Sequence, residues 1–242
     1  MKQIAFLLLV LFISSCARDD DFRSERPGIA TSINGNVKDY HRDIDIEHFE
    51  VQLIKQWRCS DGGVFATHTC EKVIGKAYTD ANGNYTLDFE YNLRSDESYK
   101  LRFNEVQDNA YSVEIVDQNG AFTNDYSIFE IIEGEQNSIN LNAWVPVKVK
   151  INLTTLNNHT PPLITGIEYN GGVDFATNFT YPGEEYEEFE LRARPNCDVE
   201  IKSWYIENRT TSNPIFHFAP AIPYSIGDTD SEITFEVDCN TF

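Results

Sequence analysis

Strict alternation of apolar and polar side chains, repeated in short segments along most of the chain, is the feature that most limits the fold. Val147, Val149, Ile151 and Leu153 alternate with Lys148, Lys150 and Asn152. The same period runs through Phe49, Val51 and Leu53, through Tyr85, Leu87 and Phe89, through Tyr99, Leu101 and Phe103, and through Ile233, Phe235, Val237 and Cys239. A period of two sends successive side chains to opposite faces, so each segment reads as a strand with one buried face. No segment carries the capped 3.6-residue pattern of an amphipathic helix. Further strands are predicted over 31–38, 71–79, 139–145, 164–169, 174–181, 186–193 and 199–206, and around Val113 and Ile115. Between two of them, Asn82-Gly83 supplies the positive φ angles of a tight hairpin. Closely spaced strands with Gly and Asn turns make the chain all-β. Its 242 residues suit two consecutive antiparallel β-sandwich domains, over 31–145 and 146–242.

The N-terminus follows different rules. Lys2 precedes an apolar run from Ile4 through Ile13, which ends at Ser14, Ser15 and Cys16. A run of about ten residues cannot span a ~30 Å hydrocarbon core as a helix, so it reads as the apolar region of a secretory signal. Ile13-Ser14-Ser15-Cys16 resembles the bacterial lipobox. That resemblance implies cleavage of residues 1–15, lipid on Cys16, and a flexible tether over 16–30. Asp19, Asp20 and Asp21 resemble the anionic tether that, in one group of Gram-negative bacteria, routes lipoproteins to the outer leaflet; a solvated linker is the alternative reading. The expectation is a protein lipid-anchored in the outer membrane, facing the exterior, with the membrane as partner only through the anchor.

A formal net charge of −20 repels phosphate backbones and anionic headgroups, which excludes nucleic acid as a partner. Hydrophobic content of 41%, with 12 Tyr and 16 Phe, excludes disorder over the body of the chain and suits strands. With Cys16 carrying lipid, Cys59, Cys70, Cys197 and Cys239 remain, an even set in an oxidising compartment. Pairing within each half, Cys59 with Cys70 and Cys197 with Cys239, is the simplest of the possible connectivities. Zinc is the rival, but no CxxC occurs, so neither metal nor cofactor is expected.

Ile33-Asn34-Gly35-Asn36-Val37, the strand Val51-Gln52-Leu53 and the turn Thr79-Asp80-Ala81-Asn82-Gly83-Asn84-Tyr85 together resemble the carboxypeptidase regulatory-like domain. The motif covers residues 31–92. It implies a transthyretin-like β-sandwich, common in bacterial surface proteins and without catalytic residues of its own. The chain departs from that family between its first two strands, where the charged segment Lys38 to His48 stands in place of a short polar turn.

No catalytic signature is present: G-x-S-x-G, HExxH and the P-loop are all missing from the sequence. The acidic run from Glu184 to Glu190 reads as a solvated strand face. Asp80-Ala81-Asn82-Gly83-Asn84 starts like a calcium loop, but Tyr91 stands where the bidentate Glu belongs, so it reads as a turn. The expected function is a non-catalytic binding or adhesion module for a glycan or protein ligand. The alternative is a structural spacer or accessory subunit of a cell-surface complex. The loop closed by Cys59 and Cys70 is the candidate ligand contact, with Trp57, Arg58, Phe65 and His68 as its contact residues; Trp and Arg are enriched at binding hot spots. The alternative for this loop is that the bridge only tidies a long hairpin.

Overall fold

The computed structural model describes residues 27–60, 67–103, 110–117, 119–123, 131–158, 162–169, 172–210 and 213–241. Among them every regular element is a strand. Cys16, Asp19, Asp20, Asp21 and Phe65 lie outside the described residues.

The first sandwich contains β1 (Ile29–Asp39), β2 (Ile44–Asp45), β3 (Glu50–Ser60), β4 (Thr67–Tyr78), β5 (Asn84–Tyr91), β6 (Glu97–Arg102), β7 (Ser112–Val116), β8 (Phe122–Thr123), β9 (Gln136–Ser138) and β10 (Asn140–Trp144). Strand β1 organises the larger sheet. It pairs antiparallel with β5 from Ile29↔Tyr91 to Asn36↔Asn84, and parallel with β9 and then β10. The smaller sheet, β4-β3-β6, packs over it. Ile33, Val37, Tyr85, Leu87, Ile115 and Leu141 from one layer meet Phe49, Val51, Leu53 and Phe103 from the other.

Two motif residues have specific reasons. A side chain at Gly35 would collide with the carbonyl of Ile139, where the chain passes close to β1 between β9 and β10. Tyr85 donates its hydroxyl to that same carbonyl at 2.8 Å, and burial pushes its phenol well above the usual range. A turn forms at Asn82-Gly83, but it closes no hairpin: β4 pairs with β3 in the smaller sheet and β5 with β1 in the larger, so the turn carries the chain between layers. Of the two residues only Gly83 has a positive φ, 73°, and Asp80 Oδ1 accepts from the backbone of Asn82 and Asn84 at 2.9 Å each. Those bonds, Asn84 foremost, hold the Asp80 carboxyl below its ordinary pKa.

The second sandwich contains β11 (Val147–Leu156), β12 (Leu163–Tyr169), β13 (Gly172–Thr180), β14 (Tyr186–Ala193), β15 (Cys197–Glu207), β16 (Ile215–Phe218), β17 (Ile222–Ile226) and β18 (Ser231–Asp238). One sheet is β14-β11-β18; the other is β13-β12-β15, with β16 and β17 following one another along β15. Their inward faces bury Val149, Ile151, Leu153, Leu163, Ile167, Val199 and Ile201. Most pairings throughout the chain are antiparallel, while β1·β9, β1·β10 and β11·β18 are parallel. Glu184 and Glu185 of the acidic run precede β14 and the rest lies on it, where Glu188 and Glu190 face Lys150 and Lys148 of β11 at 3.1 and 2.8 Å on the solvated side.

Cys59 and Cys70 are bridged, but no bridge joins Cys197 to Cys239, contrary to the pairing expected from sequence. Strand β18 explains this. It runs parallel to β11 from Ser231, opposite Val149, and Cys239 follows its end, donating its N–H to the carbonyl of Leu156. Cys197 stands near the other end, where the preceding Asn196 donates to Gly227 and the Cys197 Sγ donates to the carbonyl of Arg194. A strand of this length separates them by about 25 Å, and a disulfide needs Cα atoms within about 7 Å. Sharing the core face does not place them at the same height.

Only Val145 and Pro146 connect β10 to β11, and the sandwiches meet through polar groups. Arg194, just after β14, donates to Glu114 of β7 at 2.7 Å, with its guanidinium 5.4 Å from the Trp144 ring and 4.8 Å from that of Tyr169. Arg42 pairs with Asp39 at 2.8 Å, donates to the Val145 carbonyl at 3.2 Å and pairs with Asp228 across the contact. Asn196 donates to the His41 carbonyl at 3.1 Å. Asp39, His41 and Arg42 belong to the charged segment that departs from the resembled family. That departure supplies part of the contact with the second sandwich.

Candidate functional site

The bridged hairpin is built by the antiparallel ladder between β3 and β4, which shifts register between Leu53 and Ile54 and runs regularly from there, with Trp57↔Cys70, Arg58↔Thr69 and Cys59↔His68 directly opposite. Alternation along each strand therefore puts Trp57, Cys59, His68 and Cys70 on one face, and Arg58 on the other. The Cys59 and Cys70 Cα atoms lie 5.9 Å apart, as a bridge between diagonal positions requires. His68 Nε2 is 3.4 Å from Cys59 Sγ and 3.5 Å from Cys70 Sγ. Trp57 is half-buried, while Arg58 and His68 are exposed. The hairpin points toward the Ile29 end of β1: Lys55 donates to Asn92 at 3.1 Å, next to Tyr91, which is the partner of Ile29.

A second surface lies at the other end of the molecule. On β15, Val199, Ile201 and Ser203 face the core, so Trp204 and Ile206 face outward. Register then lines up Phe179 of β13, Ile164 of β12, Trp204 of β15 and Phe218 of β16 across the outer face of four strands. Phe216, opposite Ile206, widens the row. The Phe216 and Phe218 ring planes are nearly parallel, at 12° with centroids 6.2 Å apart, and Trp204 lies 6.4 Å from Phe218. Phe216 is 50% exposed and Phe218 55%, against a core whose members are almost wholly buried. Arg209 sits over the Phe179 ring at 5.7 Å. On the opposite side of the same strand pair, His217 stacks on Tyr205 at 4.5 Å and contacts Glu207 at 3.1 Å. Beyond the apolar row the outer face turns charged, with Lys202 between Glu168 and Glu200.

This row is absent from the sequence reading because β16 itself is. Pro214, Pro220 and Pro223 interrupt the alternation around Ile215-Phe216-His217-Phe218. Pro is tolerated there because β16 and β17 occupy the sheet edge, where a missing N–H faces solvent. The available signal was four consecutive bulky residues between turn formers.

The two surfaces are separated along the chain. Ile29 and Asp39 lie at opposite ends of β1, about 33 Å apart, and Asp39 is the end that meets the second sandwich. Strand β15 starts at that contact and carries Trp204 about 23 Å beyond it. The aromatic row therefore lies far from Ile29, and the bridged hairpin lies near it.

No protein-family profile matches this chain, and no curated protein does. Among solved structures it is similar to a leucine-rich repeat protein from Bacteroides thetaiotaomicron, at 7% identity and a TM-score of 0.29, over 88% of this chain and 27% of that one. It is also similar to a minor pilin of Streptococcus agalactiae, at 12% identity and a TM-score of 0.27, over 87% of this chain and 94% of that one. A streptococcal ancillary pilin matches at 9% identity and a TM-score of 0.29, over 86% of this chain and 62% of that one. The chain thus spans about a quarter of the leucine-rich repeat protein. At these scores the functional reading rests on the chain's own residues.

Proposed function

We propose that the chain is a lipid-anchored protein of the outer-membrane exterior that acts as a non-catalytic binding or adhesion module, with the row Phe179, Trp204, Phe216 and Phe218 as its contact surface. The observation that carries this reading is the exposure of two nearly parallel rings, Phe216 and Phe218, on a strand at the sheet edge among the described residues. Exposed apolar patches of this kind mark binding surfaces, and flat rings present a face on which the C–H side of a sugar stacks. The strong negative charge of the chain favours neutral or cationic ligands. Anchoring is supported by Ile13 to Cys16, and outward routing by Asp19, Asp20 and Asp21.

A glycan array probed with the soluble fragment beginning at Ser24, beside the Phe216→Ser/Phe218→Ser variant, tests the reading. Binding by the parent fragment that falls at least about tenfold in the variant is the expected result. Binding that survives the double substitution removes the row from consideration. A second reading, a spacer that holds a subunit away from the membrane, is favoured by the Arg194 and Arg42 contacts between the sandwiches. It gains if neither the array nor a pull-down from cell-surface material finds a ligand.

A further inference from the structure

We propose that reduction of the Cys59–Cys70 bridge converts the face of this hairpin into a site for a thiophilic metal ion, zinc(II) foremost, held by two thiolates and the imidazole of His68. The three donors come from adjacent strands in fixed register, Cys59 directly opposite His68 and Cys70 two residues further along β4. Their ligand atoms all lie within 4.8 Å of one another. With Zn–S near 2.3 Å and Zn–N near 2.0–2.1 Å, a tetrahedral site puts a nitrogen and a sulfur about 3.5 Å apart. The His68 Nε2 contacts to the two sulfurs, 3.4 and 3.5 Å, already have that length. Only the sulfur–sulfur edge must open, to about 3.8 Å. Side-chain rotation supplies this, because the Cα separation of 5.9 Å is set by the ladder and not by the bridge.

The chemistry balances. A dithiol gives two electrons and two protons to the bridge, leaving as its own disulfide, and Cys59 and Cys70 become thiols. Binding of the ion then releases both thiol protons. The same two sulfurs either bond each other or ligate the metal, so the states exclude one another. His68 is exposed and the cysteines are half-buried, which leaves a fourth position facing solvent, as in zinc sites that keep an exchangeable ligand.

The experiment uses the full chain in detergent, oxidised or reduced with a phosphine under anaerobic conditions, and titrated with cobalt(II) as a spectroscopic substitute for zinc. The reduced chain is expected to take up one ion with a thiolate-to-cobalt charge-transfer band, and the oxidised chain to show none. Cys59→Ser removes the band, and His68→Ala weakens binding at least about tenfold. The proposal is overturned if the reduced chain gives no such band. It is overturned equally if the band survives Cys59→Ser, which would assign it to Cys197 or Cys239, or if His68→Ala leaves the affinity unchanged.

Discussion

Arg194 of the second sandwich and Glu114 of the first form a charged hydrogen bond of 2.7 Å, in which the Glu114 side chain is only 5% exposed. Glu114 also accepts from Asn142, at 3.4 Å, and Asn142 contacts His41 Nε2 at the same distance. The Trp144 and Tyr169 rings flank the guanidinium. Water therefore has little access to the carboxylate, and its partner cannot be lost without leaving a charge in a poorly solvated place.

Removing one member of such a pair is far more costly than removing both. Arg194→Ala should lower the unfolding free energy by about 3 kcal/mol, since Glu114 is left without its counter-charge. The double variant Glu114→Gln/Arg194→Met should recover most of that loss. Urea denaturation of the single and double variants gives the coupling. Additive losses would mean that the pair does not connect the sandwiches energetically.

His41 gives this contact a pH dependence. Burial lowers its pKa most; Asp39 opposes this, and the Arg194 and Arg42 charges add to the lowering. Glu114 faces it through Asn142. A histidine whose folded pKa lies below its unfolded value of about 6.5 is held neutral by the fold. The stability it contributes is complete above the unfolded pKa and declines as pH falls from there toward the folded pKa. Thermal midpoints should therefore fall between pH 7 and pH 5, and His41→Gln should flatten that slope. An identical slope in the variant would place the linkage elsewhere.

The motif glycine is a test of close packing. Gly35→Ala forces a methyl group into the Ile139 carbonyl, so β9 and β10 must shift away from β1. Little soluble protein, or a loss of several kcal/mol in stability, is expected. A variant as stable as the parent would show that the close approach to Ile139 can relax.

Much of this fold was legible because alternation states which face of a strand is buried. Ile33, Leu87, Val149 and Ile201 are core residues for the reason their spacing gives. What the spacing cannot state is height along a neighbour or which strands meet. Cys239 is in phase with the core, yet stands a strand's length from Cys197. The aromatic row likewise exists only through the cross-strand register of Phe179, Ile164, Trp204 and Phe218. Of the sequence-derived contact residues, the ladder gathers Trp57 and His68 beside the bridge and sends Arg58 to the other face, while Phe65 lies outside the described residues. The charged segment 38–48 read only as a departure from a family, because its partners Asn196 and Asp228 lie more than 140 residues away in the sequence.

Thiol mapping separates the two cysteine pairs. Alkylation of the unfolded, unreduced chain should label Cys197 and Cys239 and leave Cys59 and Cys70 unlabelled. In the chain-entropy account, losing the Cys59–Cys70 bridge from Cys59→Ser/Cys70→Ser costs about 3 kcal/mol or less, as its loop is short. A peptide joining Cys197 to Cys239 would contradict the placement of β18.

Display on the cell exterior is the claim on which a binding role depends, and protease treatment of intact cells tests it most directly. The parent chain should be digested while a periplasmic control stays whole. Replacing Asp19, Asp20 and Asp21 with Ala should protect it, and Cys16→Ala should abolish incorporation of labelled palmitate. A parent chain that survives protease on intact cells, and is digested only after the outer membrane is opened, would contradict the account.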